Sequence, residues 1–215
     1  MTYYSQCGQD SFLDKNVFRG FKNGVFVDAG AHDGVTINNT IFFESIHNWS
    51  GINIEPIKSV YDKLVLNRPS CININCAVSD SDGNSEFIIN SGYTEMLSGL
   101  KSTYDTRHCQ RLSNEIKQMG GTTQTISVET KRLESIFDIH NIKHVHYLSI
   151  DVEGAEFNVI KSIDFTKVFI DVIGFENNFD DSSVPIIKYL ETKGYSVILH
   201  STDIFMKHKD SEFRG

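Results

Sequence analysis

Val25-Phe26-Val27-Asp28-Ala29-Gly30-Ala31-His32-Asp33-Gly34 is the stretch that decides the fold. A β-rich run enters a loop with glycines at 30 and 34, and a helical pattern follows. Glycine lets the backbone turn tightly and approach a ligand. The helix after the loop turns its positive N-terminal end toward the same place. Glu55 ends the next strand, where doubly wound sheets grip a pair of ribose hydroxyls. Asp28, Gly30, Ala31, Asp33, Gly34, Glu55 and Pro56 are therefore candidate contacts to an adenosine-type cofactor. For the loop alone, the alternative is a plain strand–turn–helix in which the glycines serve only the turn.

The same loop selects among cofactors. A dinucleotide fingerprint has G-x-G-x-x-G, so that pyrophosphate lies against the backbone. Here the spacing is Asp28-x-Gly30-x-x-x-Gly34, with Asp33 inside it. Two carboxylates repel a pyrophosphate and suit a cofactor that carries a sulfonium and an ammonium group, as S-adenosylmethionine (SAM) does.

Outward from this loop, β-rich runs alternate with helical patterns. Apolar groups at 37, 41 and 42 predict a helix over 37–44. A strand follows at 51–55, and Pro56 takes a favourable first helical position. Val60, Tyr61, Leu64 and Val65 make one helical face that Arg68-Pro69 ends, before a third strand over 71–78. The later chain predicts helices over 133–140, 155–163 and 184–192, the last stopped by Lys193-Gly194. Strands fall at 145–150, 168–175, 195–199 and 204–207, the last two as an antiparallel edge hairpin because their connection is short. Alternation of this kind argues for a mostly parallel α/β sheet with helices on both faces.

One region breaks the rhythm. Over 82–130 a strand (85–89), a helix (104–119) ended by Gly120-Gly121 and a strand (123–128) are set beside a stretch without β signal. As an insertion in a single 1–215 domain with an N-terminal segment 1–23, it is either a lid that selects substrate or a peripheral packing arm. Just before it, Ala77 near the end of the third strand is a further candidate cofactor contact, and Asp80 is placed either to accept from an adenine amino group or to serve the turn.

A second constellation, Asp151-Val152-Glu153-Gly154-Ala155-Glu156, ends the fourth predicted strand of the alternation and opens a helix. Glu156 suits the first turn of that helix, while Asp151 and Glu153 face the ligand crevice. Gly174-Phe175-Glu176-Asn177-Asn178 is a matching acid–amide cluster on the next strand. Three roles are open: Asp151, Glu176 and Asn177 holding a divalent cation such as Mg²⁺, Asp151, Glu153 and Glu176 acting as a general base, or hydrogen bonding without chemistry. His32, His144, His146 and His200 are further candidates for a base, His32 foremost because it lies in the cofactor loop.

Composition sets the frame. At 215 residues, 40% hydrophobic and 22% charged, the chain has the make-up of a soluble globular protein large enough for its own core. No stretch approaches the length of a membrane span, and no signal pattern opens the chain, so a cytoplasmic location is expected. A net charge of −8 without a basic run is poorly suited to nucleic acid. Cys7, Cys71, Cys76 and Cys109 form no C-x-x-C pair and are expected as buried, reduced thiols.

Together these segments resemble the FkbM-type methyltransferase family. The likeness lies in Tyr4-Ser5-Gln6-Cys7-Gly8-Gln9-Asp10, in 26–34, in Asn39-Thr40-Ile41-Phe42-Phe43-Glu44, in 49–56 and in 148–156. It implies a Rossmann-like fold with seven strands in the order 3-2-1-4-5-7-6, SAM as donor, and O-methylation of a sugar, a glycan or another small hydroxylated molecule. The 91–121 stretch matches no pattern of the family. Nucleobase amino methyltransferases carry an N/D-P-P-Y turn where this chain has Asp151-Val152-Glu153-Gly154. The alternatives are a catalytically silent scaffold on the same fold, binding a partner through 91–121, and a nicotinamide-dependent oxidoreductase.

Overall fold

The computed structural model describes residues 2–177 and 180–213; Asn178 of the acid–amide cluster lies outside the described residues. In chain order the strands are β1 (Val25–Ala29), β2 (Ser50–Ile54), β3 (Ile72–Ile74), β4 (Ala77–Val78), β5 (Gly83–Asn90), β6 (Gly99–Leu100), β7 (Thr123–Lys131), β8 (His144–Ile150), β9 (Phe169–Glu176), β10 (Tyr195–His200) and β11 (Asp203–His208). The α-helices are α1 (Gln9–Phe12), α2 (Ile41–His47), α3 (Lys58–Asn67), α4 (Thr106–Met119), α5 (Leu133–Ile139), α6 (Glu156–Lys161) and α7 (Asp180–Thr192). A π-helical turn, Leu13–Phe18, continues α1, and short 3₁₀ helices, Gly92–Leu97 and Lys101–Thr103, flank β6.

Seven strands form one sheet in the order β3-β2-β1-β8-β9-β11-β10, which is 3-2-1-4-5-7-6 when counted along the chain. Neighbours from β3 to β9 run parallel, and β11 is antiparallel to both β9 and β10. The hairpin at the edge is the one its short connection demands. Side chains alternate between two cores: Val27 and Ala29 of β1 join one apolar cluster, while Phe26 before them joins the other. The first cluster takes residues of α3, α5, α6 and α7; the second is aromatic and includes Phe18, Phe42, Phe43 and Trp49. No helix among the described residues is long and apolar enough to cross a membrane.

Several element boundaries depart from the sequence expectation, each for a local reason. The first helix after the glycine loop begins at Ile41 rather than at Ile37, which stays in the loop with φ 45°. Asp33 accepts from the Val35 and Thr36 amides, and Asn38 Oδ1 accepts from those of Thr40 and Ile41, so the amides a longer helix would use are already engaged. Pro56 precedes α3 instead of starting it, because the Ile57 amide donates to Glu55. The expected strand over 71–78 divides into β3 and β4, which belong to different sheets. Asn75 marks the division, donating its side-chain amide to the carbonyls of Glu55 and Pro56. The helix expected over 184–192 starts earlier, as α7, with Pro185 inside it.

The 82–130 region, joined by β4 just before it, builds a second sheet, β4-β7-β5-β6, with α4 beside it. Asp105 caps α4 by accepting from the His108 amide at 2.8 Å, and Gly120 ends it. Phe87, Leu100 and Val128 of this sheet join the first core cluster, so it is packed on the main body. All four cysteines are free, but only Cys76 is buried; Cys7 and Cys109 are exposed, contrary to the expected burial.

Candidate active site

A cavity of about 590 Å³ opens at the carboxyl ends of β1, β2, β8 and β9. Asp28, Gly30, Ala31, Glu55, Pro56 and Ala77 line one end of it. Gly30, at φ 89°, lies so close to the turn after β8 that an added Cβ would stand 1.8 Å from the Asp151 carbonyl oxygen. That contact, with the Asp151 amide donating to the Ala29 carbonyl at 2.9 Å, joins the two loops into one floor. Asp28 is buried and accepts from Asn38 Nδ2 and Thr40 Oγ1, each at 2.9 Å. Burial pushes its carboxyl up, against the nearby Arg68 guanidinium. Glu55 accepts the Ile57 amide at 2.7 Å and the His32 amide at 3.1 Å. Its burial still pushes the carboxyl up to about 7.

Three residues expected here are placed elsewhere. Asp33 serves its own turn, taking Thr36 Oγ1 as well as two amides. Gly34 packs against Leu64 and Arg68 of α3 and its end, leaving no room for a Cβ. Asp80 is an exposed turn residue beside Ser79 and Ser81 and does not line the cavity. The expected strand divides at Asn75, and Asp80 follows β4 of the second sheet.

At the other end, Asp151, Glu153 and Glu176 each offer a carboxylate oxygen within 4.8 Å of the others. Asn177 lines the same end and donates to the Ser201 carbonyl at 3.2 Å. Asp151 opens to solvent through the cavity but is otherwise walled by protein. That burial, then the charges of Glu156, Asp203 and Asp28, raises its carboxyl to about 7. Glu153 is held at φ 53° and is 7% exposed; burial and Asp151 push its carboxyl well up. Glu156 stays out of the cavity and accepts from the Gly154 amide at 3.0 Å, the first-turn role expected of it.

Of the histidines, His32 lines the cavity, with Nε2 3.7 Å from Glu95. His200 is exposed beside Asn177. His144 and His146 lie at the start of β8, away from the cavity, where they approach Asp171. There the Val25 amide donates to His146 Nδ1 at 2.9 Å, which puts the ring proton on Nε2 and leaves that nitrogen no lone pair for a metal.

The sequence did not single out several cavity residues. The 3₁₀ helix contributes Tyr93, Glu95 and Met96, and α4 contributes Arg111 and Glu115, joined at 3.0 Å. Gln9 and Asp203 meet from the N-terminal segment and β11. The signal for Gln9 lay in the Ser5-to-Asp10 motif: Asp10 gathers the Tyr4 and Ser5 amides and the Ser5 hydroxyl, which folds that segment over the cavity. Nothing local in the sequence marks the others.

Similarity to known proteins follows the same residues. A Methyltransferase 1 of Beauveria bassiana (strain ARSEF 2860) is 26% identical over 118 residues, 52% of this chain and 43% of that protein, so the chain spans less than half of that relative. Among solved structures, a candidate rRNA methylase from Clostridium thermocellum superposes with a TM-score of 0.49 at 9% identity, over 98% of this chain and 99% of that one. The human methyltransferase 10 domain containing protein gives 0.44 at 8%, over 86% and 70%. The sequence of residues 28–197 matches the family described as the methyltransferase FkbM domain. Since that match begins at the first cavity carboxylate and runs through both ends of the site, the chain belongs to the FkbM methyltransferase family.

Proposed function

We propose that the protein transfers a methyl group from SAM to a hydroxyl of a sugar, a glycan or another small hydroxylated molecule. The observation that carries this is one cavity with two unlike ends, a glycine-loop end with Asp28 and Glu55 and an acidic end with Asp151, Glu153 and Glu176. Bound SAM supplies an electrophilic methyl on a sulfonium, which an oxygen nucleophile displaces in line, leaving S-adenosylhomocysteine (SAH). Glu55 accepts the ribose hydroxyls, and the backbone at Gly30 and Ala31 lets the donor lie close. Asp151, with Glu153 and Glu176 beside it, receives the acceptor hydroxyl and takes its proton, a task suited to a carboxyl raised to about 7. Arg111 and Glu115 of α4 line the cavity beside Glu153, which supports the 82–130 region as the element that selects substrate.

A divalent cation is the second possibility at this end, favoured by three hard oxygen ligands within 4.8 Å. Asp151 and Glu176 of the expected set would hold it, with Glu153 meeting them where Asn177 was expected, and it would lower the pKa of the acceptor hydroxyl. Transfer from methyl-labelled SAM to a panel of sugars and polyols, with and without Mg²⁺, tests both. Asp151→Asn should cut transfer by about 10²–10⁴-fold while SAH still binds. Bound cofactor with no transfer to any oxygen acceptor would contradict the proposal and favour a scaffold.

A further inference from the structure

We infer that the acceptor carries a protonated amine close to the hydroxyl that is methylated, a hydroxylated amine of the amino-sugar type, and that Glu153 is its counter-ion. The inference rests on the methyl-transfer proposal and concerns the metal-free site. Its first support is charge. Glu115, Asp151, Glu153, Glu176 and Asp203 line the cavity around the acidic cluster, and the guanidinium among them, that of Arg111, is 3.0 Å from Glu115 and feels the charges of Glu153 and Glu176 as well. A phosphate or uronate group placed there would meet like charges in a poorly solvated space. The donor brings one net positive charge, less than these carboxylates can match.

The second support is a single atom. Glu153 Oε2 is buried and has no hydrogen-bond partner; the side chain is 9% exposed, His108 Nδ1 is 4.0 Å away, and the Arg111 charge also acts on the carboxyl. A buried carboxylate oxygen left without a donor is costly. The protein nevertheless holds it there, with left-handed backbone at Glu153 (φ 53°) and Gly154 (φ 99°). The second sheet closes over it, since a Cβ added to Gly99 would lie 3.4 Å from that of Glu153. Strain kept at a ligand-facing position is a mark of function.

Geometry supplies the third support. An ammonium offers three N–H donors, whereas a hydroxyl offers one. Three acceptors placed about 2.8 Å from a tetrahedral nitrogen stand about 4.6 Å apart. The oxygens of Asp151, Glu153 and Glu176 lie within 4.8 Å of one another, no farther apart than one ammonium can bridge, and Asp151 and Glu176 share a side-chain hydrogen bond that the ammonium would replace. With the amine held there, a neighbouring hydroxyl is left at the open side of Asp151.

The test is calorimetric titration of the SAH-saturated protein with glucosamine, N-acetylglucosamine and glucuronic acid. Glucosamine is expected to bind at least tenfold more tightly than its N-acetyl form, with no binding of the acid. Glu153→Gln should remove that preference and leave SAH affinity within twofold. Glu115→Gln, on a partly exposed side chain of the same acidic wall, should reduce the preference two- to threefold and serves if the Glu153 variant misfolds. Equal or absent binding of the amine and N-acetyl probes would overturn the inference. So would a Glu153→Gln protein that loses SAH but not methylthioadenosine, which lacks the amino-acid end, because Glu153 would then serve the donor. Displacement of glucosamine by Mg²⁺ without any amine preference in transfer would also overturn it. Failure of SAH itself to bind would instead count against the methyl-transfer proposal.

Discussion

Glu55 shows how one side chain can be held ready for a ligand. Each of its oxygens already accepts a backbone amide, yet burial pushes it up to about 7, with Glu95 and Asp28 adding to the effect. Ribose hydroxyls need an acceptor, so the ionised form is the one that binds. SAH affinity should therefore rise about tenfold from pH 6 to pH 8, following the ionised fraction of a group with that pKa. In Glu55→Gln it should be weaker and flat; calorimetry at several pH values checks both, and a pH-independent wild type would contradict the role. At this scale the sequence was a partial guide. Asp28, Gly30 and Glu55 were legible because strand ends and glycines have few other uses there. Asp33 and Asp80 carried the same chemical signature, but their carboxyls serve nearby turn groups. Whether a loop aspartate faces a ligand or its own turn is decided by backbone angles that residue type does not specify.

Between elements, Arg68 is the tie. It ends α3 fully buried, pairs with Glu44 of α2, and donates to the Gly34 carbonyl at 3.0 Å and to Asn38 Oδ1 at 3.1 Å. It therefore fixes the glycine loop against two helices at once. Removing one partner of a buried ion pair leaves the other uncompensated, at a cost of about 3–5 kcal/mol. Arg68→Met should lower stability by roughly that amount in urea unfolding and weaken SAH binding as the loop loosens. A loss below about 1 kcal/mol would show that the tie is dispensable. The strands of the main sheet were readable because runs such as Val145 to Ile150, apolar but for His146 and Ser149, are buried on both faces. The second sheet was readable only in pieces. β4 and β6 are two residues each, and their place depends on pairing with β7 and β5 far along the chain.

For the whole molecule, the main electrostatic feature is that its raised carboxyls gather around one site. Asp28, Glu55, Asp151, Glu153, Glu156 and Asp203 are all pushed up, each by burial first. An acid whose folded pKa exceeds its unfolded value keeps its proton longer when folded. Stability is therefore highest at low pH within this range and falls as pH rises toward the folded pKa. His108 and His146, shifted down by burial, oppose this only below their ordinary value of 6.5. The unliganded protein should thus lose stability between pH 6.5 and 8, by about 1.4 kcal/mol per pH unit for each whole proton released. Urea unfolding across that range checks it, and a flat or rising profile would contradict it. Calorimetric titration with SAH, SAM and NAD⁺ tests the central claim most directly. Micromolar binding of SAH and SAM, with none of NAD⁺, is the result expected of a site whose carboxylates favour a sulfonium and repel a pyrophosphate. Binding of NAD⁺ with neither SAM nor SAH would contradict it.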